Sequence, residues 1–160
     1  MLPFEGTIIL DQKYDLKKEM TAYLLRLNLG EAEPLYPSFL TPRDLLLFVA
    51  EAKKSPAGQM ASLIQKFGID YLDTPFGSCS SGMVKKVSLA VAFLGEPAVI
   101  ILDEPLITID TQACQNLFEL INQYLLKNVS FLISSHQKID VAEIAVAKSY
   151  ILKNKTIAEV

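Results

Sequence analysis

The stretch SCSSGMVKKVSLAVAFLGEPAVIILDEPLITID, residues 78–110, decides how the rest of the chain is read. It opens with a small polar turn containing Gly82 and runs into a helical pattern with apolar residues at Val87, Ala90, Val91 and Leu94. Gly95 and Pro97 end that helix, one by accepting a left-handed backbone and the other by lacking a backbone N–H. Residues 98–102 then form a short continuous apolar run, the pattern of a central strand in a parallel sheet covered on both faces. Asp103 and Glu104 stand at its carboxyl end. Ligands of open α/β sheets bind just outside the carboxyl ends of the strands. Successive side chains of an extended backbone point to opposite sides, so one carboxylate can hold a metal while its neighbour handles a water.

Downstream, Ala113, Leu117, Leu120, Ile121, Tyr124 and Leu125 follow helical spacing, and residues 129–134 read as another buried strand. Strand, helix and strand in this order imply right-handed βαβ units and a parallel sheet, with His136 just past the second strand on the same edge as Asp103 and Glu104. A short helix over 140–146 precedes a hairpin, SYILK and TIAEV joined by a turn at Asn154 and Lys155. Upstream, residues 1–10 contain a strand, TIIL, followed by a polar turn at 11–13, and residues 21–27 read as a second extended run. Gly30, Pro34 and Pro37 break regular structure in GEAEPLYPSFLT. Thr41, Pro42 and Asp44 are an N-cap, a first-turn proline and a first-turn acid, starting a helix that reaches about residue 53. A second helix spans about 59–67 and stops at Gly68. From the residues alone these are two amphipathic helices packed on a sheet.

At 160 residues, 51% of them hydrophobic, the chain can bury one core, and its length argues for one domain. The net charge of −3 and the scatter of Lys and Arg disfavour a nucleic-acid partner. No apolar stretch approaches the ~20 residues of a membrane span, and the first residues lack a signal-peptide pattern, so a cytoplasmic location is expected. Cys79 and Cys114 have no metal or redox spacing and are expected to be inert.

An Asp-Glu pair alone also describes a solvated turn, and a lone histidine is usually a surface residue. The order of the motifs carries the specificity. CSSGM (79–83), VIILDEP (99–105), Asp110 and SSHQ (134–137) resemble, in that order, the signature motif, Walker B, D-loop and switch histidine of the nucleotide-binding domain of ABC transporters. The resemblance implies a P-loop NTPase-like α/β fold, a mostly parallel sheet with helices on both faces. Residues 35–77 would be an inserted helical subdomain that docks on a transmembrane permease, and 78–160 the catalytic core. It further implies ATP and Mg2+ as cofactors. Asp103 would hold Mg2+ through its waters, Glu104 would polarise the attacking water, and His136 would contact the γ-phosphate. Ser80, Ser81, Gly82 and Met83 would reach a γ-phosphate bound by a second nucleotide-binding domain, and Asp110 would bridge the two sites. Ser81 and Met83 depart from the commoner SGGQ form. The Q-loop glutamine falls on Ala32, with Glu31 and Glu33 as possible substitutes. The implied location is peripheral, on the inner face of the membrane through the permease.

No GxxxxGK followed by Ser or Thr occurs in the chain. A P-loop gives the phosphates several charge-assisted hydrogen bonds of ~1.5–3 kcal/mol each, and micromolar binding is only ~8 kcal/mol in all. The segment LPFEGTIILDQ (2–12) resembles the region that comes after a P-loop and its helix. The chain is therefore expected to be an N-terminally truncated product or fragment, with little nucleotide affinity alone. By the resemblance, the P-loop strand belongs between the strands of Walker B and the switch histidine, so its loss is expected to leave a gap in the sheet. Two functions are compatible with these features. One is an ATP-binding subunit coupling hydrolysis to transport; the alternative is a non-catalytic half-domain that supplies only the signature face to a complete partner.

Overall fold

The computed structural model describes residues 5–137, 139, 143–153 and 156–159. A small antiparallel ribbon, β1 (Ile9–Leu10) and β2 (Tyr14–Asp15), turns at residues 11–13, where Asp11 and Gln12 both take a left-handed φ of 53°. The turn is where the sequence places it. The expected strand over 1–10 shrinks to two residues, and positions 1–4 lie outside the described residues. The extended run expected over 21–27 is instead a helix, α1 (Met20–Arg26), with Tyr23 buried. Ala22, Leu24, Leu25 and Arg26 are strong helix formers, and this local preference prevails until the strand β3 (Leu27–Gly30) begins.

Two helices come next, with the boundaries their caps dictate. In α2 (Pro42–Ala52) the Thr41 hydroxyl accepts the Asp44 N–H at 3.2 Å while the Asp44 carboxylate accepts the Thr41 N–H at 3.0 Å. The second, α3 (Gln59–Phe67), ends on Gly68 in the left-handed conformation, φ 61°. A single 3-10 turn, Phe76–Ser78, leads into α4 (Ser81–Ala92), then β4 (Val99–Asp103), α5 (Thr111–Leu125) and β5 (Ser130–Ser134). The hairpin β6 (Tyr150–Lys153) and β7 (Thr156–Glu159) pairs antiparallel as expected, and all eight strand residues are exposed. Its turn, 154–155, lies outside the described residues. Of the helix expected over 140–146, positions 140–142 also lie outside them, and 143–146 are not helical.

The core is built on α4 and β4. Six residues of α4 are buried, and α5 buries Ala113, Leu117, Leu120, Ile121 and Tyr124, the stripe read from its spacing. Ile100 and Leu102 of β4 are completely buried against this helical side. Buried Asn28 on β3 donates through Nδ2 to the carbonyls of Ala92 and Leu94, both at 2.8 Å, and so ties the sheet to the end of α4. Gly95 takes φ 80°, and a Cβ there would lie 2.8 Å from the Lys53 carbonyl, so helix α4 can end against α2 only with glycine. The Gln59 amide then pairs with both backbone groups of Gly95, at 2.8 Å each.

The sheet is parallel, in the order β3-β4-β5, which bears out the expected α/β architecture with the 98–102 strand at its centre. Two expectations need correction. The strands of Asp103 and His136 are direct neighbours, paired at five positions from Val99↔Ser130 to Asp103↔Ser134, so no strand position is missing between them. The 15-residue crossover helix α5 returns the chain to the adjacent place in the sheet, as a right-handed parallel connection does. Among the described residues, the edges of this sheet are β3 and β5. Second, the central strand is not sealed on both faces. The row Leu29, Ile101 and Leu132 is aligned by register, and its outer members are 49% and 62% exposed.

The two faces should therefore respond differently to truncation. Leu102→Ala is expected to lose about 2–5 kcal/mol in chemical denaturation, the range for an emptied core site, whereas Leu132→Ala should lose less than about 1 kcal/mol. Equal losses would contradict this one-sided core.

Candidate functional site

Parallel pairing of β4 with β5 places Asp103 opposite Ser134 at the carboxyl rim of the sheet. The Ser134 hydroxyl donates to Asp103 Oδ1, and the Ser134 carbonyl accepts the Glu104 N–H at 3.1 Å. Glu104 itself takes a left-handed φ of 43°, which is unfavourable for a non-glycine residue and costs of order 1–3 kcal/mol. The turn separates the two carboxylates. Asp103 faces the Ser134 hydroxyl, and Glu104 lies 3.6 Å through Oε1 from Nε2 of His136. The Glu104 side chain is only 12% exposed while the His136 side chain is 94% exposed, so the acid is nearly enclosed and the histidine beside it projects into solvent. Asp103, Glu104 and His136, 33 residues apart at the extremes, thus share one rim, as the sequence places them.

The turn before α4 is built by capping. The Ser80 hydroxyl accepts the Met83 N–H at 3.2 Å, and the Met83 sulfur receives the Ser80 N–H at 3.5 Å, a weak acceptor in the place of a capping-box carboxylate or amide. Ser80 and Ser81 are exposed, and Gly82 and Met83 are half-buried. Tyr71 donates its hydroxyl to the Met83 carbonyl at 3.0 Å, and burial pushes that phenol well above its usual range, keeping it a donor. A Cβ on Gly82 would lie 2.7 Å from the Thr108 carbonyl, so this turn packs against the 105–110 loop with no room for a side chain. Thr108 is itself left-handed, φ 68°. Asp110 closes the loop as the N-cap of α5, accepting the Ala113 N–H at 2.8 Å, and its other oxygen pairs with Lys86 at 2.5 Å. The Lys86 ammonium, followed by the Ala113 N–H, holds the Asp110 carboxyl below the usual carboxylate range.

Lys85 belongs to the site although no motif marks it. Its side chain is 1% exposed, and its ammonium donates to three carbonyls, those of Glu31 (2.6 Å), Ala32 (3.1 Å) and Asp103 (3.2 Å). Burial pushes the ammonium down from its ordinary range, opposed by the Asp103, Glu104 and Glu31 carboxylates. A signal was present in the sequence. Position 85 lies on the stripe with Ser88, Leu89 and Ala92, all buried, and a lysine on a core stripe needs a polar reason to be there. The 31–33 loop, where the sequence places the Q-loop position, is therefore tied to the site through its backbone. The side chains of Glu31 and Glu33 are exposed and Ala32 is half-buried.

Among the described residues, no three His, Cys, Asp or Glu side chains gather closely enough to cage a metal, and no helix is long and apolar enough to cross a membrane. Cys79 and Cys114 are free thiols, and burial pushes both above their usual range, away from the reactive thiolate.

Residues 2–107 match the family model described as ABC transporter. The chain is 34% identical over 109 residues to the cytochrome c biogenesis ATP-binding export protein CcmA of Yersinia pestis, covering 67% of this chain and 50% of that protein. It thus spans about half the length of that relative. A solved ATP binding subunit of an ABC transporter superposes with a TM-score of 0.72 at 27% identity, covering 78% of this chain and 54% of the other. A dimeric ATP-binding cassette in a post-hydrolysis state, bound to ADP and phosphate, shares the fold with a TM-score of 0.66 at 15% identity, over 84% of this chain and 64% of the other. With the ordered motifs and the shared carboxyl rim, the match over residues 2–107 makes this chain a member of the ABC transporter family.

Proposed function

We propose that this chain is the signature, Walker B and switch-histidine portion of an ATP-binding subunit that couples ATP hydrolysis to transport across a membrane. The observation that carries the reading is the pairing of Asp103 with Ser134, which sets Glu104 within 3.6 Å of His136. Phosphoryl transfer needs little covalent help from a protein; it needs positioned charge and an oriented water. Glu104, nearly enclosed beside an exposed histidine, suits a base that orients water, and His136, facing out, suits contact with a γ-phosphate. Asp103 suits Mg2+ through its waters. That ion keeps much of its hydration and takes only one or two carboxylates, so a site without a three-ligand cage fits it. Bound Mg2+ would neutralise charge on the transferred phosphoryl group.

Ser80, Ser81, Gly82 and Met83, at the N-terminus of a 12-residue helix, are assigned to the γ-phosphate of a second nucleotide-binding domain, and Asp110 to the contact between the two sites. Residues 35–77 are assigned to the helical subdomain that docks on a permease. Exposed Leu35, Phe39 and Phe48, and a shallow hollow lined by Leu40, Asp44, Leu45 and Phe48, support that assignment. The subunit would then lie on the cytoplasmic side, held at the membrane by its partner.

With a P-loop segment joined upstream, Glu104→Gln is expected to lower steady-state ATP hydrolysis by about 10²–10⁴, the usual contribution of a positioned base. Hydrolysis at the parent rate would remove Glu104 from the mechanism.

A second reading is a half-domain that lends only its signature face to a complete partner, supported by the exposed Ser80 and Ser81 at the start of α4. Titration calorimetry separates it from an autonomous nucleotide binder. The chain alone is expected to bind Mg-ATP more weakly than micromolar, and micromolar binding would exclude the half-domain reading.

A further inference from the structure

The ladder between β3 and β4 ends at Gly30↔Leu102. One step further, Glu31 enters the 31–40 loop, and just past Asp103 the other strand turns through the left-handed Glu104. Two backbones that had been hydrogen-bonded must part, which leaves their carbonyls without ladder partners beside the site. The Lys85 ammonium sits in this fork. It donates to Glu31 and Ala32 on one side and to Asp103 on the other, three bonds for the three protons an ammonium carries. Every acceptor is main chain, so the cation binds the path of the backbone rather than a mobile side chain.

Burying an ammonium costs several kcal/mol before its partners compensate, and a well-packed apolar side chain would fill a helix stripe more cheaply. Simple packing does not account for a lysine at this position. A rigid link between the two branches of the fork does. We propose that Lys85 is a positioning residue, a clamp that fixes the opening between the 31–33 loop and the Asp103-Glu104 strand end and so sets the aim of the two carboxylates. The functional part of this inference rests on the proposed roles of Asp103 and Glu104; the clamp itself does not. It makes the signature helix a third wall of the site within one chain, so a displacement of α4 would be felt by Asp103 and the 31–33 loop together.

Amide hydrogen exchange on the full chain tests it. Lys85→Met keeps the length of the side chain and removes all three donors. The Glu104 amide, bonded to the Ser134 carbonyl, is expected to exchange at least tenfold faster, with the amides of residues 87–92 in α4 unchanged, and Lys85→Arg should restore most of the protection. Local exchange equal to the wild type in Lys85→Met would overturn the clamp, whatever Glu104→Gln does to hydrolysis. So would a uniform rise across the whole chain that Lys85→Arg fails to reverse. Should Lys85→Met not fold, the wild-type chain still decides. A slowly exchanging lysine ammonium resonance, identified by its loss in Lys85→Arg, is expected in 15N spectra, and its absence would overturn the proposal.

Discussion

The parallel pairing of β4 with β5 is the constraint on which the rest depends. Ile100 and Leu102, wholly buried, anchor the strand between its neighbours, each contributing of order 1.5–3 kcal/mol of burial. A one-residue slip would expose both, because side chains alternate between faces. That penalty is as large as the cost of the left-handed backbone at Glu104, so the core can hold a strained residue at the strand's end. The same register brings Ser134 to Asp103 and His136 to Glu104. Core packing and site geometry are therefore one fact viewed at two ends of a five-residue strand.

Helix α4 organises the other side of the rim. Gly82 admits the Thr108 carbonyl, Lys85 reaches the 31–33 loop and Asp103, and Lys86 pairs with Asp110. Three neighbouring positions on one helix thus contact every loop that bears an expected functional residue except that of His136. Asp110 is held within its own chain as a cap and as an ion pair, one partner on each oxygen, and its side chain is still about half exposed. On the far side, the row Leu29, Ile101 and Leu132 leaves apolar surface beside the edge strands, a combination that soluble proteins normally cover or break up with charge.

Local chemistry made much of this legible. The Thr41, Pro42 and Asp44 cap, Gly68, and the apolar stripe of α5 each specify structure within a few residues, and those helices lie where the pattern puts them. The Asp103-Glu104 pair and His136 could be placed on one rim because strand, helix and strand imply parallel strands, whose carboxyl ends lie at the same edge of the sheet. What escaped was decided at longer range. Strand β3 has four residues, two of them Asn28 and Gly30, and nothing local marks it as a strand; it is extended by pairing with β4, and its asparagine serves the end of α4. The neighbourhood of β4 and β5 is a matter of sheet order, which no periodicity encodes. Lys85 sits within the signature segment, but its three acceptors come from elements 18 to 54 positions away, so its partners could not be read from its own surroundings.

The most direct measurement is a scalar coupling across a hydrogen bond by heteronuclear NMR, between the Glu104 amide nitrogen and the Ser134 carbonyl carbon, which the register places 3.1 Å from donor to acceptor oxygen. A resolved coupling between those two nuclei is the expected result. A coupling from Glu104 to a carbonyl one residue away, or from Glu104 to another segment, would move His136 off the rim and contradict the shared site.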